Sequence, residues 1–139
     1  MRCILIPLTL ILLVQCSPQP EHVITDTWTD GKTKREVILL DGDSTVQTFY
    51  QNGALEKIRF YEAGKQSGDW NAYYDDGTLW SEHHYSEGVQ VGAYRTWHPN
   101  GAPYIEGEYN ALGKPSGTWV ITDKEGNILR TVEADSMTP

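Results

Sequence analysis

Two adjacent histidines, His83 and His84, follow Glu82 directly, with the acid pair Asp75-Asp76 just upstream and Glu106 and Glu108 downstream. Imidazoles that converge with carboxylates hold divalent metals, and paired carboxylates flanking a bond exchange protons across it. The spacing here argues against both. Neighbouring residues of a strand point to opposite faces, so His83 and His84 cannot jointly ligate one ion without a bulge. Zinc wants three or four converging ligands, and no spaced His/Cys set accompanies these two. Asp75 and Asp76 stand immediately before Gly77, where aspartate serves a turn by bonding nearby backbone amides. Glu82 and Glu106, with Glu108 two residues on, are placed to form an acidic patch on one face, but nothing in the sequence encloses them in a pocket. No G-x-S-x-G elbow, phosphate-binding loop or H-E-x-x-H pattern occurs. The expectation is a chain without catalytic residues, metal or cofactor.

A different chemistry is open to cysteine. Cys3 and Cys16 are the only two, and both precede the folded body, which excludes a structural disulfide or a cysteine metal site within it. Arg2 is followed by an apolar run from Cys3 to Val14, at ~12 residues too short to span a bilayer and suited to the core of a signal peptide. Leu13-Val14-Gln15-Cys16 resembles the lipobox of bacterial lipoproteins, in which the cysteine takes a diacylglyceryl group and becomes the first residue of the mature chain. Gln15 departs from the small residue usual at that place. The resemblance implies a signal peptide over residues 1–15 and a lipidated Cys16 opening a polar tether over 16–23. Membrane attachment would then run through the lipid, in the bacterial cell envelope. Ser17 resembles the residue type that sends lipoproteins on to the outer membrane where the host has one.

Elsewhere the chain repeats. Gly31, Gly53, Gly77, Gly101 and Gly126 lie 22, 24, 24 and 25 residues apart, each preceded by Asp, Asn or Glu. Seven residues before them stand Ile24, Val46, Trp70, Tyr94 and Trp119; four before, Thr27, Phe49, Tyr73, Trp97 and Thr122; eight after, Leu39, Tyr61, Tyr85, Tyr109 and Ala134. The arms between glycines are short, rich in Trp, Tyr, Val, Ile and Thr, and bounded by Gly, Asn and Asp, so each unit is predicted to be a β-hairpin. His98-Pro99-Asn100-Gly101 fits a type I turn with the glycine in a left-handed G1 bulge, and the other turns can follow the same path. Gly64, Gly88 and Gly113 mark the turns between hairpins. The predicted architecture is all-β: an elongated, meandering antiparallel sheet of about five hairpins over residues 24–134, with 135–139 as a tail. Equivalent rings two strands apart would stand ~10 Å from one another and form ribs.

The stretches 68–88, 92–113 and 117–129 resemble the MORN-repeat variant, whose pattern is G-x-W/Y-x-x-Y/W-x-x-N/D-G followed by an aromatic and a glycine. The resemblance extends over roughly 24 to 134, with a first unit that lacks the leading glycine and a fifth that has Thr122 and Ala134 in aromatic columns. It implies an all-β repeat scaffold with a binding or structural role, and it supplies no catalytic residues. Members are often labelled antitoxin-like, and many bacterial ones are small lipoproteins.

Within that frame Gly53, Gly77, Gly101 and Gly126, with Trp70, Tyr94 and Trp119, are framework, and Tyr73 and Trp97 are assigned to the same packing ribs. Trp80 and Tyr104 share the column three after the glycine with Glu56 and Leu129, a mixed column whose rings are free for a partner. Trp80, Tyr104, Glu82, His83 and His84 are the candidate binding surface. The formal charge of -8 disfavours nucleic acid and points to a basic protein partner. The functional expectation is a lipid-anchored, non-enzymatic scaffold that binds protein. The alternatives are an immunity protein that neutralises a toxin in the envelope, and a module that stacks cell-wall polysaccharide on its rings.

Overall fold

A computed structural model describes residues 18–134. Segment 1–15, Cys16 and the tail 135–139 lie outside the described residues. Ten strands follow one another: β1 (Glu21–Thr27), β2 (Thr33–Leu40), β3 (Asp43–Phe49), β4 (Leu55–Glu62), β5 (Lys65–Tyr73), β6 (Leu79–Ser86), β7 (Val89–Trp97), β8 (Pro103–Tyr109), β9 (Pro115–Thr122) and β10 (Ile128–Glu133). Each pairs antiparallel with the next, giving one open sheet in sequence order. The all-β meander of repeated hairpins expected from the sequence is the fold observed. Its first strand starts earlier than residue 24: Glu21, His22 and Val23, expected outside the repeat domain, pair with Leu39, Ile38 and Val37 and belong to the sheet.

The turns alternate between two kinds. Along one edge, Gly31, Gly53, Gly77, Gly101 and Gly126 have φ from 80° to 88°, the left-handed conformation that a side chain disfavours. Each glycine amide bonds the carbonyl three residues back, as Gly77 does to Tyr74 at 3.0 Å, which is the three-residue hairpin with a G1 bulge. On the other edge Asp41-Gly42, Ala63-Gly64 and Glu87-Gly88 have positive φ at both residues, the mark of two-residue type I′ hairpins. Gly113, at φ 72°, closes a three-residue turn there instead.

Bulges break the ladder at two fixed places, the first in every unit and the second in the last three. One falls three residues after the turn glycine, where the register passes from Ala72↔Ser81 to Tyr73↔Leu79 and leaves Trp80 as the extra residue. Lys34, Glu56, Tyr104 and Leu129 occupy the same place in their units. The other falls at the glycine that leads the repeat pattern: Gly68, Gly92 and Gly117, at φ 66°, 73° and 64°, open the arms that carry Trp70, Tyr94 and Trp119.

A sheet one layer thick buries little. Among the described residues only Val46, Ala72, Ser81, Thr96 and Trp119 are buried, and no side chain is fully enclosed. Stability therefore comes from rows of side chains across one face. The register runs Val37, Val46, Arg59, then Trp70, His83, Tyr94, Gly107, Trp119 and Val132, so that each rib ring alternates with the residue six after a turn glycine. Arg59 lies over the Trp70 ring at 5.5 Å and His83 meets Tyr94 edge-on at 4.8 Å. Gly107 offers no side chain, and Trp119 leans across it until its ring is 5.3 Å from Tyr94, about half of the spacing that pleat geometry alone predicts. The tyrosines eight after the glycine complete the row: Tyr61 and Tyr85 flank Trp70 at 5.3 and 4.5 Å, and Tyr109 packs on Trp119 at 5.2 Å. Trp70, Tyr94 and Trp119 are thus ribs of one face. Tyr73 and Trp97 are not in that row, because three residues along a strand reverses the face.

A second series of contacts links the repeats at the turn edge. Trp28 Nε1 donates to the Phe49 carbonyl (3.1 Å), Tyr50 Oη to that of Tyr73 (2.8 Å), Tyr74 Oη to that of Trp97 (2.8 Å) and His98 Nε2 to that of Thr122 (2.9 Å). In every case the donor stands three before its own turn glycine and the acceptor four before the next. Asn52 and Asn100 repeat the arrangement one step further out, to the carbonyls of Asp75 and Lys124. The series stops at Asp123, whose carboxylate accepts from the amides of Glu125 and Asn127 and from the Asn127 side chain, within its own turn.

Candidate functional site

The register separates the five residues expected to form a binding surface. Trp70 pairs with His83 and Asp69 with His84, so the two histidines stand on opposite faces. His83 belongs to the ribbed face. It is half-buried, meets Tyr94 edge-on and lies 3.0 Å from Gln90 Nε2 through Nδ1. Burial lowers its pKa, and the neutral ring keeps Nδ1 free to accept from Gln90. His84 is exposed on the far face, with Nδ1 2.6 Å from Asp69 Oδ1.

Glu82 shares the face of His84. Arg95 stands between Glu82 and Glu106 in the register, 3.5 Å from Glu82 Oε2, so the acidic patch has a cation at its centre. Glu106, Glu108, Thr118 and Val120 surround a shallow concavity with Ala93 and Arg95. Thr118 Oγ1 bonds Glu133 at its border. With Asp69 and Glu133, five carboxylates gather around Arg95 and His84 in this part of the face.

Trp80 and Tyr104 are 43% and 39% exposed, and the bulge explains both: the extra residue cannot enter the ladder. Each rests on the donor residue of its own turn, Trp80 on Tyr74 at 6.4 Å and Tyr104 on His98 at 4.6 Å, and Lys34 sits likewise 4.9 Å over Trp28. Their surroundings differ. Trp80 lines a cleft of about 190 Å³ together with Lys57, Arg59, Trp70, Ser81 and His83. Tyr104 does not reach it. The structure therefore brings Trp80 and His83 together on the ribbed face, places Glu82 and His84 behind them, and leaves Tyr104 one repeat away.

Two sets of residues escaped the sequence reading. Lys57 and Arg59 carried a usable signal, since alternate strand residues share a face and theirs precedes Trp70 and Trp80 by one repeat. The donor column Trp28, Tyr50, Tyr74 and His98 looks random by residue type; what unites it is an N–H or O–H at the far end of a ring.

No group of three His, Cys, Asp or Glu side chains among the described residues is placed to hold a metal. A family model described as the MORN repeat variant matches residues 66–87 and 90–111. The two matched segments are the β5–β6 and β7–β8 hairpins, and the turn bulges and ring rows carry the same geometry outward to the neighbouring units. No curated protein matches the chain.

Proposed function

We propose, taking the two matched repeats as premise, that this chain is a non-enzymatic binding scaffold, held to a membrane by lipid on Cys16 in a bacterial cell envelope. Its acidic face, built on Glu82, Glu106 and Glu108, takes a basic protein partner. The observation that carries this reading is the open, single-layer sheet itself: both faces are wide and solvent-accessible, and the carboxylates gather on one of them. Charge so arranged steers an oppositely charged protein and fixes its orientation more than it supplies raw affinity. A toxin acting in the envelope is one partner of this kind, which keeps the immunity reading as a special case.

The test is site-specific photocrosslinking in intact cells from position 93, on the acidic face, and from the exposed position 80, on the ribbed one. A discrete adduct is expected from position 93 and should disappear when Glu106→Lys and Glu108→Lys are combined. An adduct that survives this reversal would refute the acidic face as the docking surface.

A further inference from the structure

The geometry points to a ligand site on the opposite, ribbed face: the cleft between β4, β5 and β6 binds a carboxylate-bearing sugar. This rests on the chain being a binding scaffold but not on its protein partner, which uses the other face.

The charge of the cleft runs against that of the chain. In a protein of net charge -8, no Asp or Glu lines this cleft, while Lys57 and Arg59 both do. Lys57 is engaged by Glu56 at 3.0 Å. Arg59 pairs with no carboxylate among the described residues; its guanidinium carbon lies 5.5 Å from the Trp70 ring centroid, a contact that restrains the group while its N–H donors stay available to a ligand. Beside it Trp80 presents an indole that is 43% exposed, pushed out of the ladder by the bulge. Ser81 and His83 supply hydroxyl and imidazole at the floor.

A restrained guanidinium next to an apolar plate and small polar groups matches one ligand chemistry. A pyranose has an apolar C–H face to lay on the indole, hydroxyls for Ser81 and His83, and, in a uronic or sialic acid, a carboxylate for Arg59. An extended peptide fits worse. The strands under the cleft pair on both sides, so their backbone groups are spent and cannot add another strand. A polyphosphate chain would meet only two cations and then the repulsion of the whole molecule.

Full-length protein in detergent should be titrated by calorimetry and tryptophan fluorescence with trigalacturonic acid, its methyl ester, a glucuronate-containing tetrasaccharide and sialyllactose. Saturable binding of at least one acidic sugar is expected, with the ester weaker by about tenfold or more, the usual worth of a charge-assisted contact. Arg59→Met should reproduce the loss seen with the ester, and Trp80→Ala should remove binding altogether, with circular dichroism checking that each variant folds. Were Trp80→Ala to fail that check, the comparison of acid with ester on Arg59→Met still decides. Equal binding of acid and ester, or binding of none of the sugars, overturns the proposal. Combining Glu106→Lys with Glu108→Lys should leave sugar binding unchanged, which separates this failure from failure of the protein-partner reading.

Discussion

Replacing Gly107 by alanine should destabilise the protein, against the ordinary trend. Gly107 lies within β8 and is not among the positive-φ glycines, so a side chain there meets no backbone penalty. In a strand such a change normally stabilises by about 0.5–1 kcal/mol, because alanine loses less conformational freedom on folding. Here a Cβ would stand 2.2 Å from Trp119 Cδ2 and 2.5 Å from both Cε2 and Cε3. Carbon atoms pack at about 3.5–4.0 Å, so the indole must retreat by roughly 1.3 Å or more. It is poorly free to do so, being 7% exposed and wedged between Tyr94 and Tyr109 at 5.3 and 5.2 Å. Forcing a packed ring aside costs about 1–3 kcal/mol, and each ring contact weakened adds about 0.5–1.5 kcal/mol. The net expectation is a loss of about 2–4 kcal/mol after the backbone gain is subtracted. Urea denaturation followed by tryptophan fluorescence would show it as a midpoint lowered by about 1–2 M. In a Trp119→Leu background the same change should become neutral or slightly stabilising, which isolates the pair. An unchanged or raised midpoint for Gly107→Ala alone would refute the argument.

Three further outcomes are expected. Tyr74→Phe removes the hydroxyl that bonds the Trp97 carbonyl and should lower stability by about 1 kcal/mol in the same urea assay, with little change in the circular dichroism spectrum. Burial holds the His83 pKa below its ordinary 6.5, so the unfolded chain takes up this proton at higher pH than the folded one does. Stability from this site is full above pH 6.5 and is lost as pH falls through that value toward the folded pKa; His83→Gln should flatten denaturation midpoints measured across that window. Asp76, lowered by the Thr78 amide, and Asp123, lowered by Asn127, act only below their ordinary 3.8 and do not obscure it. Finally, Cys16→Ser should abolish palmitate labelling and move the protein out of the membrane fraction.

The turn glycines were legible because their conformation admits almost nothing else, and a column fixed by backbone geometry keeps its residue type. The strands were legible for a similar reason, through short arms of β-branched and aromatic residues. Faces were harder. Counting from the glycine gives columns but not sides, and both columns are aromatic, so Trp70 and Tyr73 looked like one rib although three residues along an unbroken stretch of strand set them on opposite faces. His83 looked peculiar to its unit, yet its column is where each rib ring receives its neighbour, filled in turn by Arg59, His83 and Gly107. That role tolerates a cation, an imidazole or nothing at all, so no residue pattern discloses it. The cleft at Trp80 arises from β4 of the preceding repeat, and its cations become neighbours only once the register is known.

The turn-edge ladder has a direction, and the direction bears on how many repeats the protein can hold. Each middle unit brings one donor for the unit after it and one carbonyl for the unit before it. Duplicating residues 66–89 in frame would therefore leave no group of the ladder unmatched, and six-hairpin forms should fold. Duplicating the fifth unit is different. Asp123 would then face the carbonyl of a following turn with two oxygens and no proton, a repulsive contact in place of a bond. Asp123→His, which restores a donor at that place, is the substitution that should let a further unit join the ladder.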